Sequence, residues 1–236
     1  TRIVRNAMAA FFAASVWLLP QTLNAANPQS RVESGTDINI LAFPRVSTPP
    51  VVDGGIAEDE YGGAFRGLIN METQHSYMHD SALFTAYDDK NIYIAASLEL
   101  PKDASVQAPP MKRDDPRLQN KTDALVVMLR PDGDPAVHRF NGYYFTVGAS
   151  GAVYDSKRSI DWDGGSVSND VQPRFVADTA GSVKNGVWTV EVRIPREKVG
   201  LRRDEPFLMS AGFNLTAIGK KLSRNLHPIW WDHYRA

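Results

Sequence analysis

The sequence predicts an all-β protein: a two-sheet antiparallel β-sandwich of jelly-roll-like build, with short helical turns. Three observations predict it. Eight or more short apolar runs are separated by turn residues. Several of those runs alternate with a period of two, as a strand with one face in a core must. No internal repeat and no long amphipathic helix interrupts them.

The elements follow in order. "INILAF" at 38–43 is the first candidate strand. "ALFTAYDDKNIYIAASLEL" at 82–100 reads as a hairpin, with Asp88, Asp89, Lys90 and Asn91 as its polar turn. In its second arm Ile92, Ile94, Ala96 and Leu98 share one face, and Tyr93, Ala95, Ser97 and Glu99 share the other. A proline-broken, charged loop fills 101–122. "DALVVMLRP" at 123–131 is a strand, turned by Asp132-Gly133. "YYFTVG" at 143–148 returns, Ser150-Gly151 turns again, and "AVYDSK" at 152–157 continues.

"VQPRFVAD" at 171–178 and "VWTVEVRIP" at 187–195 form the next expected pair, with Asn185-Gly186 as a hairpin turn. Trp188, Val190, Val192 and Ile194 lie on one face of the latter; Thr189, Glu191 and Arg193 lie on the other. "REKVG" at 196–200 reads as one helical turn, and "FLMSAGFNLTAIG" at 207–219 as a strand. "HPIWWDHYRA" closes the chain.

Composition narrows the function classes. The chain has 236 residues, 43% hydrophobic and 22% charged, enough for a full core. Its net charge of −1 argues against a nucleic-acid groove, which needs a basic excess to neutralise phosphates. There is no cysteine, so no disulfide and no lipid-anchoring thiol.

The first residues differ from the rest. Arg2 and Arg5 precede an apolar run at 7–19, Pro20 breaks it, and Ala25 and Ala26 follow. That layout is a secretory signal at 1–26, too short an apolar stretch to cross a bilayer comfortably. A polar linker at 27–37 and a sandwich over 38–236 follow from this division. The expected location is secreted or periplasmic, in a bacterial envelope. The absent initial Met and the apolar ending lead to the expectation of a truncated piece of a longer protein.

Several segments line up in one order: "PPVVDGGIAEDEYGGAF" (49–65), "LFTAYDDKNIYIAASL" (83–98), "TDALVVMLRPDGD" (122–134), "YYFTVGASGAVYD" (143–155), "WTVEVRIPREKVGL" (188–201) and "AGFNLTAIGK" (211–220). The first carries an Asp-Gly turn and then a short acidic helical turn. This series resembles the family 9 carbohydrate-binding module and its sandwich relatives. Arg113-Asp114-Asp115, the 143–155 segment and Asp161-Trp162-Asp163 look like a branch in which such a sandwich precedes an outer-membrane barrel. The resemblance implies a domain that binds an oligo- or polysaccharide without cutting it, often with structural calcium, beside a fused or downstream domain. Sugar rings stack an apolar face on aromatic planes, and their hydroxyls need polar partners.

The chain departs from that pattern at the sugar site. The family has an aromatic shortly before the strand at Asp123, where Leu118, Gln119 and Asn120 stand here. It has a carboxylate within that strand, where Val126 stands, and an Arg and an Asn at Thr146 and Gly148.

The candidate ligand residues are Trp162, Trp230 and Trp231, the last two where the family places a stacking aromatic. Trp188 belongs to the core. Asp103 and Asp123 are the residues the resemblance assigns to calcium, which takes six to eight oxygens. The plainer reading of each aspartate is a turn-former or strand-end cap. "SIDWDGG" does not match a calcium-hand loop, because Gly164 arrives too early.

His75 and His79 have helical spacing, but "HSYMH" lacks the Glu of a zinc protease and no helix is indicated there. Nothing marks an enzyme: "GASGA" at 148–152 is no nucleophile elbow, and no phosphate loop appears. Two rivals to sugar binding remain. One is a purely structural sandwich of a barrel protein. The other is a haem-binding sandwich for electron transfer, with Met78, Met111 or His138 as imaginable ligands.

Overall fold

The computed structural model describes residues 43–62, 64–66, 69–70, 75–76, 81–100, 105–119, 121–131, 139–161, 164–171, 174–202, 207–215 and 229–235. The expected signal at 1–26, the linker at 27–37 and most of the strand at 38–43 lie outside them. So do Asp132-Gly133, Met78, His79 and His138.

The strands are β1 (Ala64–Arg66), β2 (Ile69–Asn70), β3 (His75–Ser76), β4 (Ser81–Tyr87), β5 (Asn91–Glu99), β6 (Asp123–Arg130) and β7 (Arg139–Gly148). They continue with β8 (Val153–Asp161), β9 (Ser166–Asp170), β10 (Asp178–Lys184), β11 (Val187–Pro195), β12 (Leu208–Leu215) and β13 (Ile229–Arg235). Helical structure among the described residues is confined to three 3-10 turns, Glu58–Glu60, Pro116–Gln119 and Arg196–Val199. The strands form two antiparallel sheets, of order β1-β4-β5-β11-β10 and β3-β2-β13-β12-β6-β7-β8-β9. The two-sheet, all-β expectation holds.

Period two does the sorting. Ile92, Ile94, Ala96 and Leu98 of β5 and Trp188, Val190, Val192 and Ile194 of β11 point into the space between the sheets. Leu125, Val127 and Leu129 of β6, Phe145 and Val147 of β7, and Met209, Ala211 and Phe213 of β12 meet them from the other side. Trp188 is fully buried and packs at 4.7 Å on the Phe213 ring. Burying a side chain of that size contributes about 3 kcal/mol.

The turns obey the sequence where their chemistry is specific. Asn185 and Gly186 both take positive φ, 53° and 76°, the type I′ geometry that joins β10 to β11. The β4–β5 turn closes with the Asp88 amide on the Asn91 carbonyl at 3.0 Å. The Asp88 carboxylate accepts from the Lys90 and Asn91 amides and from the Tyr93 hydroxyl. Burial works to raise the Asp88 pKa, but these donors outweigh it and hold the group below the usual range. Burial, with the Asp88 charge beside it, pushes the Tyr93 phenol up to about 12.

The structure differs from the sequence reading at 171–178. Phe175 and Val176 are not in a strand; β10 begins at Asp178. The segment crosses from one sheet to the other and drops both side chains into the core. Its two amides are satisfied by one carboxylate, Asp155 of β8, at 2.8 and 3.0 Å. Arg113 pairs with the other Asp155 oxygen at 2.5 Å and donates to the Val176 carbonyl. Asp155 and Arg113, which carry the barrel-branch resemblance, thus build the sheet crossing.

The outer face of the five-stranded sheet is also covered. Ala82, Phe84, Ala86, Tyr93 and Ala95 cluster there with Tyr61, and Val46 and Ile56 pack against them. The covering segment is tied down by Glu191 of β11. Its carboxylate accepts from the amides of Gly54 at 2.6 Å and Asp53 at 3.0 Å, and from the Tyr61 hydroxyl at 2.7 Å. Burial lifts the Glu191 carboxyl above its ordinary range, although all three donors pull the other way. Burial, then the neighbouring Glu191 charge, raises the Tyr61 phenol.

Candidate functional site

The second outer surface belongs to the eight-stranded sheet. Its central strands set up three cross-strand rows. Trp230, Gly212, Val126, Thr146 and Tyr154 follow one another across β13, β12, β6, β7 and β8. Ser210, Met128, Tyr144 and Ser156 form the next row. Gly142 pairs with Arg158 in the third, and Arg158 with Asn169 of β9. Arg130 follows Leu129, the partner of Tyr143, and so falls level with Gly142.

A 3-10 turn stands over one end of these rows. Asp115 and Pro116 start it: the Asp115 carboxylate accepts from the Arg117 amide at 3.0 Å, and proline tolerates the first helical position. Hydrogen bonds from the Arg117 side chain hold the Asp115 carboxyl down to about 2. Leu118 then tucks against the sheet, its Cδ2 only 3.0 Å from where a Cβ on Gly148 would lie. The next residue, Gln119, turns its amide oxygen to Arg158 at 2.7 Å.

Arg158 is the centre of the polar part of this face. Its guanidinium lies 3.7 Å above the Tyr144 ring centroid. It donates to Gln119 on one side and to Asn169 at 2.6 Å on the other. A stacked guanidinium is worth about 0.5–2 kcal/mol, more where water is excluded. Tyr144 and Arg158 are both half-buried.

Two hydroxyls share this face without partners. Thr146 and Ser156 are fully buried. Neither side-chain oxygen has a hydrogen-bond partner. A buried hydroxyl left unpaired costs about 1–3 kcal/mol, and such groups are exceptions that call for a physical cause. The patch offers an aromatic plane, a guanidinium and two unpaired hydroxyls, groups able to hold a polar ligand.

The sequence-predicted site residues fall as follows. Trp230 and Trp231 sit on β13, Trp230 opposite Gly212 and Ile69, Trp231 opposite Ala211. In backbone register Trp230 is level with Val126 and Thr146, and Trp231 with Val127 and Phe145. Trp162 lies outside the described residues. On either side of it, the Gly164 amide donates to the Asp161 carboxylate at 3.0 Å. His75 begins the short strand β3.

Of the two residues assigned to calcium, one is described. Asp103 lies outside the described residues. Asp123 opens β6, fully buried, and its carboxylate accepts from the Gln107 amide at 3.3 Å. Among the described residues no three His, Asp or Glu groups converge.

The departures from the family pattern are now physical. Val126 and Thr146 are direct neighbours, and Gly148 pairs with Ala124 beside them. Leu118 fills the space a side chain at position 148 would need. Sequence reasoning passed over Arg158, Tyr144, Ser156 and Gln119. Two strands and a 3-10 turn bring them together, and no local pattern announces that.

No protein-family model matches the chain, and no curated protein matches it. Solved structures do. A candidate carbohydrate-binding protein from Bacteroides uniformis superposes with a TM-score of 0.56 at 12% identity, over 81% of this chain and 88% of that one. A family 9 carbohydrate-binding module from Caldicellulosiruptor kristjanssonii appears twice. Its glucose complex gives a TM-score of 0.46 at 11% identity, over 79% of this chain and 83% of that one. Its cellotriose complex gives 0.44 at 12%, over 80% of each. What this chain shares with the Bacteroides uniformis protein is the fold, a two-sheet antiparallel β-sandwich.

Proposed function

We propose that this chain is a non-catalytic carbohydrate-binding sandwich of a secreted or envelope protein, holding a poly- or oligosaccharide for processing elsewhere. The observation that carries the reading is the outer face of the eight-stranded sheet. There an aromatic ring and a guanidinium are stacked beside two buried hydroxyls that lack partners. A sugar presents the complement, an apolar ring face and a rim of hydroxyls. The likeness to the Bacteroides uniformis protein adds a shared fold to this argument.

Leu118 fills the space beside Gly148, so on this reading the ligand lies toward Tyr144 and Arg158. Binding of this kind needs no chemistry of its own: a tethered module raises the effective concentration of its polymer. Titration of the chain against soluble glycans, with calcium present, tests the reading by calorimetry and tryptophan fluorescence. Saturable binding of at least one glycan is expected. No binding across the panel contradicts it and leaves the purely structural sandwich.

A further inference from the structure

Arg158 is a cation whose partners are all neutral. It donates to two amide oxygens, of Gln119 and Asn169, and lies on the Tyr144 ring. No carboxylate pairs with it among the described residues. The chain as a whole carries a net charge of −1, so any affinity for anions must be local.

The guanidinium also lies across the site. Ser156 is two residues before Arg158 on the same face and is the cross-strand partner of Tyr144; Thr146 is two residues beyond Tyr144. From β8 the Arg158 side chain passes above Tyr144 to Gln119, next to the Leu118 side chain that crowds Gly148. The side chain is thus a strap across Tyr144, the cross-strand partner of Ser156.

Resting on the carbohydrate reading above, we infer that the glycan bound here is acidic, with a uronate carboxylate engaging Arg158. A carboxylate forms charge-assisted, bidentate hydrogen bonds with a guanidinium, about twice as strong as those from a neutral amide. It therefore displaces Gln119. Movement of the strap uncovers Ser156 and Thr146, whose hydroxyls then meet sugar hydroxyls. The exchange is favourable because it replaces neutral partners by a charged one and satisfies two groups that now have none. A neutral glycan offers Arg158 nothing stronger than the Gln119 it already holds.

Calorimetry of the chain with tetragalacturonate, cellotetraose and poly-glutamate tests this, together with Arg158→Gln, Arg158→Lys and Ser156→Ala. Tetragalacturonate is expected to bind, to weaken as salt rises, and to lose about tenfold or more in Arg158→Gln. Arg158→Lys keeps the charge without the planar fork, so an intermediate loss is expected. Should Arg158→Gln not fold, the salt dependence of the parent chain and the loss in Ser156→Ala decide the matter. Binding of cellotetraose without tetragalacturonate overturns the acidic ligand and leaves carbohydrate binding standing. Binding of neither overturns both. Equal binding of poly-glutamate reduces the site to charge alone and overturns the glycan assignment, as does tetragalacturonate binding that ignores Arg158→Gln.

Discussion

The Arg113 guanidinium meets the Asp155 carboxylate at 2.5 Å, and that one carboxylate also receives the amides of Phe175 and Val176. Asp155 is wholly buried and Arg113 only partly exposed. The pair fixes the point where the chain leaves the eight-stranded sheet for the five-stranded one. Asp155→Ala would leave two buried amides unpaired and take from Arg113 its closest carboxylate, leaving only Asp114 at 3.9 Å. The expected loss is on the order of 3–5 kcal/mol, read from urea or thermal unfolding. A loss under about 1 kcal/mol would show that the crossing is held by packing alone.

Gly181 of β10 faces the β7–β8 turn. A Cβ there would overlap the Ala149 carbonyl oxygen and crowd the Gly151 amide, both backbone atoms that cannot swing aside. Gly181→Ala is expected to cost about 3 kcal/mol, the upper part of the range for overpacking. Gly186→Ala is the control. Its φ of 76° is strained for alanine, but nothing lies within 4 Å. A loss of about 1–2 kcal/mol is expected there. Equal losses in the two variants would remove the close approach from the account.

Two carboxyls give opposite pH signatures. Glu191 has a raised pKa in the folded state. Between its unfolded and folded values the native chain holds the extra proton, so its contribution is greatest at acid pH and is lost as pH rises through the folded value. Asp88 has a lowered one. Its contribution is present above the ordinary aspartate range and is lost as pH falls through the depressed value. Unfolding free energies across pH 3–8, on the order of those limits, separate them. The parent chain should lose stability relative to Glu191→Gln as pH rises, and relative to Asp88→Asn as pH falls. A reversal of either slope contradicts the assigned burial or donors.

Much of the fold was legible because it is local. The alternation of 91–99 and 187–195 fixes which side chains meet Trp188, and Asn185-Gly186 has few conformations open to it. What stayed hidden depends on distant chain. Tyr93, Ala95 and Glu191 were placed on the far face of their strands, but nothing local says that residues 46–61 return to bury that face. Phe175 and Val176 look like strand residues because a sheet crossing buries apolar side chains too. The same holds at the candidate site. Trp230 and Trp231 draw the eye as aromatics, whereas the stack of Arg158 on Tyr144 exists only through the β7–β8 register and the turn that carries Gln119.

The most direct test of the central claim is calorimetric titration of a glycan panel, acidic and neutral, into the chain and into Tyr144→Ala. The account predicts saturable one-site binding by the parent chain. It also predicts a loss of about tenfold in Tyr144→Ala, where the stacking plane is gone. Absence of binding by the parent chain, or binding that Tyr144→Ala leaves unchanged, would contradict a carbohydrate site on the outer face of the eight-stranded sheet.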